Sequence, residues 1–192
     1  MERETDPHAL TLTVYYADQC GNPKNCLYPH SGTSNNPDEL KRLFRNDHTF
    51  IRFKDNYRSI NNFEESSARA LDNDNAHSDD PKDWIYISDI PRLFPNVPCI
   101  VYTSRNHMKQ KGDRSPRPRF HTIFLDESIT DPKRYAQLMQ RVQAAYPFFD
   151  DNALDAGRFF FGNPDTEVYS FPGRITLTQF MEEQEAERAF AE

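Results

Sequence analysis

The sequence has few cysteines, no long apolar stretch and no overall excess of basic residues. Three cysteines, an odd number, argue against a framework of disulfides. No apolar run approaches the ~18 residues that a membrane-spanning helix needs, and no signal peptide opens the chain. We therefore expect a cytoplasmic protein that has no membrane partner.

The charged residues are distributed unevenly along the chain. The formal net charge of −7 at pH 7 does not point to nucleic-acid binding, yet residues 104–120 hold six lysines and arginines against the single acid Asp113. The acids gather around Asp72, within residues 79–83 and after Met181. An acidic cluster beside a basic segment suits a site for metal and phosphate, although two unrelated solvated surfaces have the same composition.

With 192 residues, fifteen phenylalanines and nine tyrosines, the chain is long enough for one domain with a packed core. Asn36-Pro37 and Asp131-Pro132 predict helix starts, because a capping side chain precedes a proline at the first helical position. Thr176 and Gln179 resemble a capping box that opens a terminal helix.

Periodicity and β-branched content predict strands, together with a short helix over residues 88–94. The predicted strands cover residues 10–16, 49–53, 67–75, 98–103, 119–125, 159–161 and 167–171. The irregular order of strands and helices predicts an α+β domain, in which a mostly antiparallel sheet carries helices on one face.

Asp72 and Asp74 are the most informative pair of residues. They lie within the predicted strand 67–75, where side chains alternate, so both carboxylates project from the same face. Two carboxylates held close together repel unless they share a proton or bind a cation, and Mg²⁺ or Mn²⁺ prefer oxygen ligands. The sequence Asp-Asn-Asp-Asn is equally typical of a turn.

The strand predicted for residues 119–125 directly follows the basic segment. Alternation places Arg119, His121 and Ile123 on one face of it. A single histidine in an apolar strand usually belongs to the core, but here it shares a face with an arginine. This combination favours an anion-binding site.

Cys20, Cys26 and His30 lie in a predicted loop near the start of the chain. Their spacing is not a standard zinc pattern, and only His8 or His48 offers a fourth ligand. We expect a plain loop here, with a zinc site as the alternative.

Three ordered motifs resemble those of the archaeo-eukaryotic primase superfamily, whose catalytic core is called prim-pol. They are hydrophobic-D-x-D at Leu71-Asp72-Asn73-Asp74, a histidine motif at Arg119-Phe120-His121, and hydrophobic-D at Phe149-Asp150. Arg119 stands where the family commonly has a small residue. The flanking segments 55–59 and 104–107 resemble primase domains of plasmids, phages and integrative elements. The resemblance covers roughly residues 50–171.

This resemblance implies an RRM-like primase-polymerase core and a nucleotidyltransferase activity. The reaction would be metal-dependent, template-directed addition of NTP or dNTP, in primer synthesis or primer extension during replication of a mobile genetic element. The implied partners are single-stranded DNA template, primer and nucleotides. Residues 1–175 would form this domain. Residues 176–192 would form a helix or linker toward a downstream helicase domain of the virulence-associated-protein-E or phage P4 type.

The resemblance also implies roles for individual residues. A two-metal site with Mg²⁺ or Mn²⁺ would use Asp72, Asp74 and Asp150, with Asp155 as second choice for the third carboxylate and Asp151 as a further candidate. His121 would join the three aspartates in the catalytic set. The nucleotide triphosphate would contact His121, Arg119, Arg158, Ser104, Arg105 and His107. DNA would contact Lys109, Lys111, Arg114, Arg117, Tyr57 and Arg58.

Two other functions remain open from the sequence. A metal-dependent nuclease or rolling-circle replication initiator also acts on phosphodiesters, but His121 lacks the second histidine, two residues on, that initiators need. In a non-catalytic module that binds DNA or nucleotides, the same carboxylates would be structural.

Overall fold

The computed structural model describes residues 11–152 and 154–191. Its centre is a five-stranded sheet in which all paired neighbours are antiparallel. The strands are β4 (Arg52–Phe53), β5 (Phe63–Asn73), β6 (Cys99–Thr103), β7 (Phe120–Ile129) and β8 (Val168–Phe171). Their order across the sheet is β4-β5-β7-β6-β8, so the long strands β5 and β7 lie side by side.

A second, three-stranded antiparallel sheet precedes the large one along the chain. It consists of β1 (Leu12–Tyr16), β2 (His30–Ser34) and β3 (His48–Thr49), in the order β2-β1-β3. The sequence pattern does not predict β2. It indicates one strand over residues 49–53, where the structure has the two short strands β3 and β4 in different sheets.

Within the described residues the helices are α1 (Pro37–Leu43), α2 (Ile90–Leu93), α3 (Pro132–Ala145) and α4 (Leu177–Ala191). The predicted starts are confirmed, because the side chains of Asn36 and Asp131 accept main-chain N–H groups of α1 and α3. Thr176 and Gln179 exchange side-chain and main-chain hydrogen bonds before α4, as a capping box requires. None of these helices is both long enough and apolar enough to cross a bilayer.

The large sheet has a hydrophobic cluster on each face. Along β7, Phe120 and Phe124 pack with residues of α2, α3 and α4, whereas Ile123 and Leu125 pack against β1 and α1. The α+β class with an antiparallel sheet is therefore confirmed. The expected arrangement of helices on one face holds for α2, α3 and α4, and the small sheet with α1 covers the other face.

A buried ion pair joins the helical layer to the sheet. Arg69 of β5 and Asp126 of β7 have fully buried side chains, and Nε lies 3.6 Å from Oδ2. The guanidinium also donates to the carbonyl oxygens of Ser66, Ala68 and Glu127. Asp126 accepts the hydroxyl of Thr178 at 2.9 Å, so the pair also fixes the first turn of α4.

Removing the Asp126 carboxylate is expected to destabilise the fold strongly. Asp126→Ala would leave the Arg69 charge buried without its counter-ion, a loss that costs about 3–5 kcal/mol. Urea unfolding followed by circular dichroism measures this free energy. Glu64→Ala removes an exposed partner of Arg52 and is the matched control, with an expected change below about 1 kcal/mol. Equal free energies of unfolding for the two variants would contradict the stabilising role of the pair.

Candidate active site

Asp72 lies near the end of β5, directly opposite His121 on β7. Cross-strand partners in an antiparallel sheet project from the same face, which here is the face away from α3 and α4. Nδ1 of His121 is hydrogen-bonded to Oδ1 of Asp72, and the guanidinium of Arg158 forms an ion pair with Oδ2. Both carboxylate oxygens of Asp72 therefore have partners.

Asp74 directly follows Asn73, the last residue of β5. Asn75 has a left-handed backbone (φ 48°), and its amide donates to the carbonyl oxygens of Ile85 and Pro118 at 2.9 and 2.8 Å. Asp74 accepts the Lys111 ammonium at 2.6 Å. Asp72 therefore lies in the predicted strand, whereas Asp74 lies just beyond it, where the N–H of Asn75 donates to Oδ1 of Asn73 at 2.9 Å.

Asp150 is attached to Asp72 through the main chain. Its N–H donates to the Asp72 carbonyl oxygen at 2.9 Å, and the buried Phe149 anchors the segment in the core. Asp155 instead accepts the N–H of Gly157 at 2.6 Å and is exposed. Of the three candidates for the third carboxylate, Asp150 lines the same cavity as Asp72, and neither Asp151 nor Asp155 does.

The cavity has a volume of about 370 Å³ and brings together acids, bases and aromatic rings. It is lined by the acids Asp72, Asp74 and Asp150, the basic residues Arg105, Lys111, His121 and Arg158, the polar residues Ser104 and Asn106, and the rings of Phe159, Phe160 and Phe161. A larger depression of about 680 Å³ beside α3 and α4 lacks such a set of opposed charges. We therefore take the smaller cavity as the candidate active site because of its charged residues, although the other depression is larger.

Burial controls the protonation of the two groups that contact Asp72. It lowers the pKa of His121 from 6.5 to about 4; the charge of Asp74 opposes this change, while Lys111 and Arg105 reinforce it. Burial also lowers the pKa of Arg158, from 12.5 to about 10, so that guanidinium stays charged. Asp72 thus contacts one imidazole and one cation.

The three aspartates of the cavity fit a hard divalent cation by their chemistry, because Mg²⁺ and Mn²⁺ prefer carboxylate oxygens. In the part of the chain that the structure describes, however, no group of three or more His, Cys, Asp or Glu side chains is arranged to hold a metal ion. Arg158 and Lys111 balance the charges of Asp72 and Asp74 instead. A cation would replace these protein contacts.

Two arginines of the basic segment, Arg119 and Arg117, are buried, which does not fit the roles predicted for them. Arg119 is 1% exposed and donates to the carbonyl oxygens of Asn106, Lys109 and Ser115, inside its own loop. The Arg119 guanidinium, which donates to these three carbonyl oxygens, is therefore not available to contact a triphosphate.

Arg117 is likewise 1% exposed. It donates to the carbonyl oxygens of Asn75 and Ser78 and forms an ion pair with Asp79 at 2.7 Å. Contact with a template backbone does not fit this buried position. Arg117 instead holds the basic segment against residues 75–79, which follow Asp74, whereas Arg119 holds the segment onto itself.

The remaining predicted residues lie at the edges of the site. Lys109 and Arg114 are exposed on the basic segment, and Nδ1 of His107 contacts the main chain of Arg119. Arg58 stacks over the ring of Phe159 at 4.5 Å, and Tyr57 is 48% exposed. The cavity itself is lined by Ser104 and Arg105, and by none of these five.

The proposed zinc ligands have separate partners. Cys20 donates to the Gly162 carbonyl oxygen, Cys26 lies near Arg58, and His30 contacts Asp18 at 2.6 Å. His8 lies outside the described residues. His48 is buried, with Nε2 accepting the hydroxyl of Tyr102 at 2.8 Å and Nδ1 donating to the Asn46 carbonyl oxygen.

The sequence pattern does not indicate the part played by residues 159–162, although Arg158 before them was predicted to contact the triphosphate. They were predicted to contain a strand, but only Phe160 pairs, in an isolated bridge with His48. Phe160 is buried against His121 with ring centroids 5.0 Å apart, while Phe159 and Phe161 face the cavity. Three consecutive phenylalanines after an arginine were the available signal, and they read equally well as core.

No family model matches the sequence, and the comparison with curated proteins finds no match. Among solved structures, the fold is similar to the AEP domain of the primase-polymerase (PrimPol) of cyanophage S-2L. The TM-score is 0.51 at 13% sequence identity, and the similarity covers 90% of this chain and 88% of that domain. At this identity the comparison establishes a shared fold, which extends over nearly the whole length of both chains.

Arg119 is expected to hold the basic segment rather than to bind phosphate. Arg119→Met removes its hydrogen bonds to three carbonyl oxygens, so trypsin should cleave after Lys109 and Lys111 several-fold faster in a folded protein. Arg114→Met, at an exposed position of the same segment, is the control and should leave both cleavage rates unchanged. Limited proteolysis with mass spectrometry measures the rates. Equal rates in both variants would contradict the anchoring role.

Proposed function

We propose that this chain is a primase-polymerase domain that transfers nucleotides in a template-directed, metal-dependent reaction. The observation that carries the proposal is the meeting of Asp72, Asp74 and Asp150 with His121 and Arg158 in one cavity. The fold similarity to a domain named as a primase-polymerase supports it. Primer synthesis, primer extension, or both, in the replication of a mobile element are the activities that we assign.

In this proposal the three aspartates hold Mg²⁺ or Mn²⁺. When bound, such ions neutralise phosphate charge and favour in-line displacement at the α-phosphate of NTP or dNTP. The groups released from the aspartates are well placed to meet the substrate, since Arg158 and Lys111 both line the cavity. Arg158 keeps its charge near neutral pH and would bind the triphosphate together with His121, Ser104 and Arg105.

The template would approach along the basic segment. Lys109 and Arg114 are exposed there and would contact backbone phosphates, which gives binding that weakens with salt and depends little on sequence. A protein with a net charge of −7 should bind DNA weakly through so small a patch. We therefore propose that the domain works together with a helicase domain. We also propose that the protein is cytoplasmic.

A non-catalytic module that binds nucleotides or DNA is the second candidate. It is favoured by the ion pairs that Asp72 and Asp74 make with Arg158 and Lys111, because structural carboxylates would have such partners. The two functions differ in whether ligand binding leads to new phosphodiester bonds.

Asp72→Ala and Asp74→Ala are each expected to lower nucleotide addition by about 10²-fold or more, because the charge that would hold the cations is lost. A gel assay with single-stranded template, labelled nucleotides and Mg²⁺ or Mn²⁺, with and without primer, measures the products. Asp151→Ala, an exposed aspartate outside the cavity, is the matched control. Unprimed products would establish a primase, and products that require a primer would establish a polymerase.

Several outcomes of that assay would overturn the proposal. Unchanged extension by both variants would remove the aspartates from the reaction. Binding of DNA without metal and without any product would leave the non-catalytic module. Cleavage of single-stranded DNA without nucleotides would identify a nuclease or an initiator.

Lys111→Ala is expected to tighten the binding of Mn²⁺ when no nucleotide is present. The Lys111 ammonium contacts Asp74 at 2.6 Å and is half exposed. Its removal frees a carboxylate oxygen for the cation, so the Kd for Mn²⁺ should fall by up to about fivefold. Calorimetric titration with Mn²⁺ measures this Kd. Lys109→Ala removes the same charge two residues away, outside the cavity, and should have a smaller effect. Weaker Mn²⁺ binding by Lys111→Ala would show that Lys111 supports the metal site.

A further inference from the structure

One wall of the cavity carries aromatic rings instead of charged groups. Phe159 and Phe161 both line it, with ring centroids 5.1 Å apart and planes at 77°. Phe160, between them, is buried against His48 and His121. An aromatic wall does not bind phosphates or metal ions, so it is available for a different part of a ligand.

The main chain holds this wall firmly in place. Phe160 and His48 exchange two hydrogen bonds, of 2.9 and 2.7 Å, and the N–H of Gly162 donates to Asp47 at 2.8 Å. A Cβ on Gly162 would lie 2.3 Å from the carbonyl oxygen of Arg45, so the two segments approach as closely as only glycine permits. The rings are therefore presented by a fixed backbone.

Each of the two rings is covered by one guanidinium, but the two guanidiniums are held differently. Arg58 lies 4.5 Å from the centre of the Phe159 ring and also donates to the carbonyl oxygens of Gly157 and Asn25. Arg58 is thus fixed by two main-chain acceptors. Arg58 is therefore expected to stay on the face of the Phe159 ring when a ligand binds.

Arg105 lies 4.2 Å from the centre of the Phe161 ring and has no such anchors. Its side chain is exposed, and among residues 11–152 and 154–191 it forms neither a salt bridge nor a side-chain hydrogen bond. Gly21 lies nearby, where a Cβ would come to 3.5 Å from one guanidinium nitrogen. The planar guanidinium of Arg105 therefore covers the Phe161 ring without an ion pair or hydrogen bond that fixes it there.

We propose that Phe161 is a base-stacking surface, on which a nucleobase takes the place that the Arg105 guanidinium has in this structure. A base is flat and aromatic, and stacking on a phenylalanine ring serves every base because each has a π-face. Displaced from the ring, Arg105 remains at the cavity as a charge for phosphate. This inference rests on the proposed function in one respect, since it gives the nucleotide or template strand of that reaction its base contact.

The base could belong to a free nucleotide or to a single strand, and paired probes distinguish these sources. Calorimetry with Ca²⁺ would compare dATP with inorganic tripolyphosphate, which has the phosphates without a base. Fluorescence anisotropy would compare a labelled dT oligonucleotide with an abasic strand of equal length. In each pair only one probe has a base to stack.

Phe161→Ala is expected to weaken the binding of at least one base-bearing probe by roughly five-fold or more, the loss that removal of a base–aromatic stack causes. Tripolyphosphate and the abasic strand should bind as to the unmodified protein. Phe161→Trp should keep or increase affinity, whereas Phe161→Leu, which keeps the apolar volume without a flat ring, should behave like alanine. A loss for dATP alone assigns the site to the incoming nucleotide, and a loss for the oligonucleotide alone assigns it to a strand.

Phe171→Ala, a half-buried phenylalanine on β8 outside the cavity, is the matched control, and thermal melting verifies the fold of every variant. Unchanged binding of both base-bearing probes by Phe161→Leu would overturn the inference, as would an equal loss for probes with and without a base. An unmodified protein that binds neither base-bearing probe would overturn it too. The proposed function is tested separately by the gel assay for nucleotide addition. If that assay gave no product while Phe161→Ala still weakened the binding of a base-bearing probe, the proposed function would fail and this inference would stand.

Discussion

The carboxylate of Asp72 is the group on which the arrangement of the cavity depends. Its two oxygens contact His121 and Arg158, and its main-chain carbonyl oxygen accepts the N–H of Asp150. Three segments far apart in the sequence thus meet at one residue. Because Arg158 is only partly exposed and stays charged, its guanidinium and the Asp72 carboxylate balance each other where water solvates both only in part.

Strand β5 divides structural and chemical roles between the two faces of the sheet. Arg69 faces the helices and forms the buried pair with Asp126, while Asp72, three residues on, faces the cavity. The helical layer can therefore stabilise the sheet without contributing to the cavity. The small sheet and α1 cover the rest of the cavity face, which explains why acids and bases meet there at an edge and not in a closed core.

Features that depend on local sequence were predictable. The caps at Asn36 and Asp131 follow from neighbouring residues, and the side-chain alternation along β7 follows from the geometry of any strand. The inward direction of Arg117 depends on partners elsewhere in the chain, the carbonyl oxygens of Asn75 and Ser78. The preference for Asp150 over Asp155 already followed from the resemblance, and it remains a prediction. A basic segment in a sequence looks the same whether its arginines face solvent or hold a turn, so composition could not separate the two cases.

The bridge between His48 and Phe160 has a consequence for how the molecule assembles. The wall of the cavity is completed by a pairing of segments 112 residues apart, and the nearby contact of Asp47 with Gly162 spans 115 residues. Closing loops of this length costs chain entropy before the contact is gained, and folds rich in such contacts form slowly. Completing this wall is therefore expected to depend on slow, long-range closure of the chain.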